Sequence, residues 1–304
     1  MTAIAAQPFL LRARVAGRAR CHVPDFLLVH ADESVQVMNV KPAGRLADPQ
    51  TREALAWPGR LFQARGWGHD LRGAEFIGTA DLSGVVMRGV YAGGADIDDP
   101  FLCDGGSFLR VNGVDVIPFV EAELNRRFPG RAARRAEDPD RLRAAWAALE
   151  RTWSATLARV AAMPTSTVDL AVGGEWSFAQ TLRHMVLATD IWLGRAVLQI
   201  EQPFHPIGLL HAGTGEDGFD MSVFTTVPPT YAEVLEVRAG RVALVRDFLA
   251  TVTPDVLAAP RKNPHDPGRP ETVRSCLHVI LKEEWEHLRY AVRDLDAIEA
   301  ERAG

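Results

Sequence analysis

Apolar and polar positions alternate with helical period from about residue 139 to the end of the chain. DPDRLRAAWAALERTWSATLARVAAM, SFAQTLRHMVLATDIWLGRAVLQ and TYAEVLEVRAGRVALVRDFLATV each carry an apolar stripe, as does the run from about Thr272 to Glu299. Stripes of this spacing predict four amphipathic helices of roughly 22 to 28 residues, the parts of a four-helix bundle. Ser177 with Gln180, and Thr230 with Glu233, have the capping-box spacing and mark two helix starts. Residues 201 to 228, with FHPIGLLH and several glycines, form a long connection between the second and third helices. Connections of that length are often functional.

Upstream the periods differ. In residues 1 to 68, VPDFLLVH and VQVMNV read as two strands joined by ADES, and PQTREALAWPGRLFQARGW reads as a short helix despite Pro58. Between residues 69 and 115, Leu71, Phe76, Leu82, Met87, Ala92, Ile97 and Leu102 recur every five residues, with one six-residue step. A five-residue period fits neither a helix nor a flat strand and suits a solenoid, or else an irregular glycine-rich loop. HDLRGAEFIGTADLSGVVMRG resembles the pentapeptide-repeat family, which implies about two turns of a four-sided β-solenoid. Residues 116 to 138 read as a linker: a short helix at 118–128, then the charged RAARRAEDPD.

Composition narrows the classes. A net charge of −5 gives no global nucleic-acid or membrane signal, and no run approaches ~18 apolar residues. Gln7 and Pro8 interrupt the only apolar start, so no signal segment is expected. Cys21, Cys103 and Cys276 are odd in number and scattered, which points to a reducing cytoplasm and away from a disulfide frame.

The candidate chemistry begins at LKEEWEHLRY, where Glu283 and His287 stand one helical turn apart. At about 100° per residue, Glu283 falls roughly 40° from His287, beside a stripe containing Cys276, Ile280 and Ala291. Glu284 lies deeper in that stripe and is a rival ligand, whereas His278 falls on the opposite face. His184 shares a face of the second helix with Thr181, Ala188 and Ile191. A bundle core can bring His184 to Glu283 and His287 as two imidazoles and a carboxylate around a divalent ion, with a position left open. The spacing by itself is equally that of a surface i,i+4 pair and a satisfied core histidine. Cys276 is either a further ligand or a small buried hydrophobe. His205 and His211 either line the mouth as acid–base groups or are solvated loop residues.

GEWSFAQTLRHMVLATDIWLGRAV and CLHVILKEEWEHLRYAVRDL resemble the DinB-like superfamily, including its thiol-dependent S-transferases and mycothiol-dependent isomerases. The resemblance covers about residues 139 to 300 and implies metal ligands at His184, Glu283 and His287, because Glu-x-x-x-His marks the isomerase branch. It implies a divalent metal, zinc or nickel, that presents a low-molecular-weight thiol for S-conjugation or cis–trans isomerisation. The same ion can activate water for hydrolysis.

A second resemblance lies at the front. HVPDFLLVHADESVQVMNVKPAGRLADP is similar to TnsA-like transposase endonucleases, whose restriction-type fold pairs an acid on one strand with a metal- and water-handling pair on the next. It places Asp25, Asn39 and Lys41 in those roles. Asn39 is neutral where a carboxylate is usual, and residues 1 to 24 contain no acid, so the implied segment is a nuclease remnant. Arg12, Arg14, Arg18 and Arg20 either touch phosphates or form one solvated face of a strand.

The expected chain is therefore multidomain, α and β. It has a partial α/β restriction-endonuclease-like segment at 1–68, a pentapeptide β-solenoid at 69–115, a linker at 116–138 and a DinB-like four-helix bundle at 139–304. Its expected partners are a small-molecule thiol and electrophile, nucleic acid through the N-terminal segment, and a second copy of the chain.

Overall fold

The computed structural model describes the backbone of five strands between residues 3 and 38, and residues 92–210, 220–266 and 268–303 in full. The chain divides into two compact units, Met1–Ala95 and Asp96–Gly304.

In the first unit β1 (Ala3–Ala6), β4 (Phe26–Val29) and β5 (Val35–Met38) make an antiparallel sheet in the order β1-β4-β5, and β2 (Leu11–Val15) pairs with β3 (Arg18–His22). Val29 stands opposite Val35 and Phe26 opposite Met38, the hairpin that the two apolar runs predict. The arginines are distributed differently from the single strand expected. Arg12 faces Cys21 and Arg14 faces Ala19, while Arg20 faces Ala13 and Arg18 faces Val15. Asp25, Asn39 and Lys41, the helix expected within 49–67, and residues 69–91 of the expected solenoid lie outside the described residues.

The second unit begins with turns, not with solenoid strands. Ile97, expected to point into a coil, is 55% exposed, and residues 92–109 contain no strand. A short hairpin follows, β6 (Arg110–Val111) with β7 (Val114–Asp115), and then α1 (Ile117–Arg127). The stretch expected to be a charged linker is instead packed down. Arg131 and Arg134 are buried, and they pair with Glu121 at 3.5 and 2.7 Å, while Arg131 also reaches Glu286 at 3.6 Å. Their charges are neutralised by specific carboxylates, which is what permits burial.

The bundle proper consists of α2 (Pro139–Ala161), α3 (Phe178–Thr189), α4 (Tyr231–Thr251) and α6 (Val273–Ala303), with the short α5 (Pro254–Ala258) between the last two. α2 and α3 each pack on both α4 and α6. Leu142, Leu149, Leu182, Val186, Leu288 and Leu295 are among the side chains sealed at the centre. Both predicted capping boxes form: Ser177 and Gln180 satisfy each other's backbone N–H, as do Thr230 and Glu233. Each removes two of the orphan donors at a helix start.

Two features escape the sequence pattern. Beyond Thr189 the second helix widens into a π-helix, Asp190–Val197, closed by Leu198 N–H to Leu193 O at 2.8 Å. A Cβ at Gly194 would lie 2.6 Å from Pro203 Cβ, so the close approach of Pro203 to this turn requires glycine there. A small hairpin, β8 (Pro260–Lys262) with β9 (Pro270–Thr272), leads into α6. Arg261 in β8 donates to Val197 O at 2.9 Å and caps the π-helix end.

Candidate metal centre

α3 and α6 bring His184, Glu283 and His287 together. One potential ligand atom from each lies within 4.8 Å of the others, as a metal-holding group requires. The His184 and His287 ring centroids are 4.8 Å apart. His184 Nε2 is 3.8 Å from Glu283 Oε2, and His287 Nδ1 is 3.6 Å from the same oxygen.

The imidazole tautomers follow from their partners. His184 Nδ1 lies 3.2 Å from Leu209 O, and His287 Nδ1 lies 2.8 Å from Glu283 O. A carbonyl only accepts, so both Nδ1 atoms carry a proton. This is the orientation by outer hydrogen bonds that metal-binding histidines show. Burial, assisted by the neighbouring His184, pushes His287 down to about 4, so it is an uncharged donor at neutral pH. Burial alone would raise the Glu283 carboxyl. The hydrogen bond from His184 and the charges of His287, His184 and Lys282 outweigh it and hold the group below its usual value. Glu283 is thus an anion beside two imidazoles, and carboxylate and imidazole together make a donor set suited to zinc-like divalent ions.

Two aromatic rings wall the group, and sequence reasoning did not find them. Trp176, just before the α3 cap, lies 4.7 Å from the His184 ring and stacks on His287 at 6.3 Å and 20°. Tyr290 meets His287 edge-on at 5.6 Å. Burial raises the Tyr290 hydroxyl well above its usual value, so it stays protonated. An aromatic one residue before a helix cap is common enough that position alone gives no signal.

The remaining candidates are placed elsewhere. Glu284 is not a rival ligand. It is 1% exposed and accepts from Arg238 Nη2 at 2.5 and 2.6 Å and from Trp153 Nε1 at 2.8 Å. The extra 60° of helical rotation carries it past the site into the bundle centre, where only a full set of donors sustains a carboxylate. Cys276 is sealed in the core, its thiol pushed up to about 11 chiefly by burial, and it is no part of the donor group. His278 turns away to Ala136 O at 2.8 Å, as its angle predicts. His205 takes a structural role: its backbone N–H donates to buried Asp190 at 2.9 Å, and its Nδ1 accepts from Ile207 N–H at 3.3 Å. His211 lies outside the described residues.

A helical bundle that brings two imidazoles and one carboxylate together from two facing helices has the donors that could hold a divalent metal ion. Residues 148–291 match the family model of the DinB superfamily, a span that contains all three donors, so the C-terminal half of the chain holds a DinB-like domain. No curated protein and no solved structure matches the chain. Among the described residues no helix is long and apolar enough to cross a membrane.

Proposed function

We propose that the bundle is a divalent-metal-dependent transferase or isomerase that uses a low-molecular-weight thiol, with His184, Glu283 and His287 as the metal ligands. The observation that carries the reading is the convergence of one potential ligand atom from each of the three residues within 4.8 Å, with both imidazoles held by Nδ1–H bonds to Leu209 O and Glu283 O.

Three protein donors leave at least one coordination position for a small molecule, the pattern of reactive and not of structural sites. A bound ion supplies Lewis acidity that lets a thiol lose its proton near neutral pH. The chain's own contribution is positioning and exclusion of water. Glu283 provides the only formal negative charge of the donor set, so a doubly charged ion keeps a net positive charge toward an incoming anion. Trp176 and Tyr290 cover two sides of the His287 ring and narrow the approach. The Leu209 carbonyl holds His184 at the angle its partners need.

Elemental analysis of the purified full chain tests this. About one equivalent of zinc or nickel per chain is expected, lost in a His184→Ala/His287→Ala variant that keeps its helical circular dichroism. Conjugation of a small thiol to an electrophile should fall at least a hundredfold in that variant. Equal metal content in the two proteins would overturn the assignment.

A further inference from the structure

The turns that open the second unit run along α6 as a strap, and two aspartates fasten it there. Asp104 pairs with Lys282 and Arg135, and Asp98 pairs with Arg289 and Arg293. The two tethers differ in what stands behind them. Lys282 lies over Phe101, a residue of the strap itself. Arg289 and Arg293 lie over the ring of Tyr290, at 4.5 and 5.4 Å, and Tyr290 meets His287 edge-on.

Helical spacing sets out the second arrangement. His287, Tyr290 and Arg293 follow one another at three-residue steps, so each neighbours the next along α6, and Arg289 stands four before Arg293. Two cations four apart on a helix repel, and nothing in their own chemistry gathers them over one ring. Asp98 supplies the reason. Arg289 Nη2 and Nη1 donate to its two oxygens at 2.6 and 2.9 Å, and Arg293 Nη1 donates to Oδ2 at 3.1 Å. The forked pair fixes the plane of the Arg289 guanidinium as well as its position. Arg293 also reaches the other wall: its Nη2 donates to Glu175 at 2.6 Å, and Glu175 precedes Trp176, whose ring lies against His184 and His287. One carboxylate of the strap is thereby linked, through two arginines, to both aromatic walls.

Resting on the metal-site reading, we propose that Asp98 is a positioning residue of the donor group. By holding Arg289 and Arg293 it sets Tyr290 and Trp176 against the two imidazoles, and so shapes the space in which a bound ion keeps its remaining ligand. The side chains of Asp98 and Arg293 are 30% and 35% exposed, so their pairing adds little to global stability. Its effect falls on where the rings stand.

Asp98→Ala is compared with Asp104→Ala, which cuts the other tether and leaves Arg289, Arg293 and Glu175 untouched. In the metal-free full chain, the NMR shifts of the His184 and His287 ring protons report the aromatic rings beside them. Asp98→Ala should move these shifts well beyond any change in Asp104→Ala, while the two variants melt together. On the zinc-loaded chain, Asp98→Ala should release zinc to a chelator roughly three- to tenfold faster, less than the ~10–100-fold lost with a group bonded directly to a ligand. Asp98→Glu, which restores the carboxylate, should bring the rate back toward that of the unsubstituted chain. Ring-proton shifts that change equally in the two alanine variants, or in neither, would overturn the proposal, as would zinc release unaltered by Asp98→Ala. If the chain takes up no zinc, the metal-site reading fails, whereas the metal-free shifts still decide the role of Asp98.

Discussion

The Arg238–Glu284 pair allows a sharp calculation. Arg238 is 5% and Glu284 1% exposed, and one guanidinium nitrogen bridges both carboxylate oxygens. Arg238→Met removes the counter-charge and leaves the carboxylate with one neutral donor, Trp153 Nε1. Breaking a buried pair from one side costs about 3–5 kcal/mol, because the remaining charge is neither solvated nor paired. For a domain of this size that corresponds to a fall in Tm of roughly 10 °C. Arg238→Met/Glu284→Leu should recover part of the loss, keeping a deficit of about 1–3 kcal/mol for the Trp153 N–H left without an acceptor. The sign of the pH effect is also fixed. Burial already raises the Glu284 carboxyl, and loss of Arg238 raises it further. With the folded value above the unfolded one, the folded variant binds the extra proton. Its deficit is therefore full above the folded pKa and shrinks as pH falls toward about 4.3. Thermal and urea melts at pH 8 and pH 5 measure this. A single variant that costs under 1 kcal/mol, or a double variant as unstable as the two singles summed, would refute the account.

Other outcomes follow from equally local features. Gly130 sits at φ +101° with its missing Cβ 2.5 Å from Ala148 Cβ, so Gly130→Ala should cost about 2–3 kcal/mol in a urea melt; a change within error would show that the turn relaxes freely. Ser177→Ala removes the α3 cap and should cost about 1 kcal/mol, measured in the same way. Burial, with the charges of Arg274 and Arg135, lowers His278 below its usual 6.5 despite its bond to Ala136 O. A depressed histidine favours the unfolded chain as acid is added, so its share of stability is present above about pH 6.5 and lost as pH falls through the folded value. His278→Gln should flatten the dependence of Tm on pH between 7 and 5, and an unchanged slope would count against it.

The bundle was largely legible because its determinants are local. The apolar stripe on α2, the paired caps at Ser177–Gln180 and Thr230–Glu233, and the one-turn spacing of Glu283 and His287 are all readable within a few residues of chain. The angular argument that separated His278 from His287 needed only helical geometry. It left Glu284 open, because the donors that settle its role come from α2 and α4. The π-helix was invisible for a similar reason: the proline packed on Gly194 and the Arg261 that caps its end come from outside the helix. Trp176 became a wall of the site only once α3 and α6 had been brought together. The packed Arg131 and Arg134 show the opposite case, in which a charged run reads as a linker although each arginine has a carboxylate waiting.

The two imidazoles are steadied by unlike supports. His287 leans on a carbonyl of its own helix, one turn back, so its bearing survives any change that leaves α6 intact. His184 leans on Leu209, in a connection that belongs to no helix. Half of the cradle is therefore set by the bundle and half by a loop. If His184 is the metal ligand proposed above, substitutions around residues 205–210 should retune how the chain grips an ion, and how quickly it lets go, with no helix disturbed. The connection, more than the core, is the place where this scaffold can be adjusted.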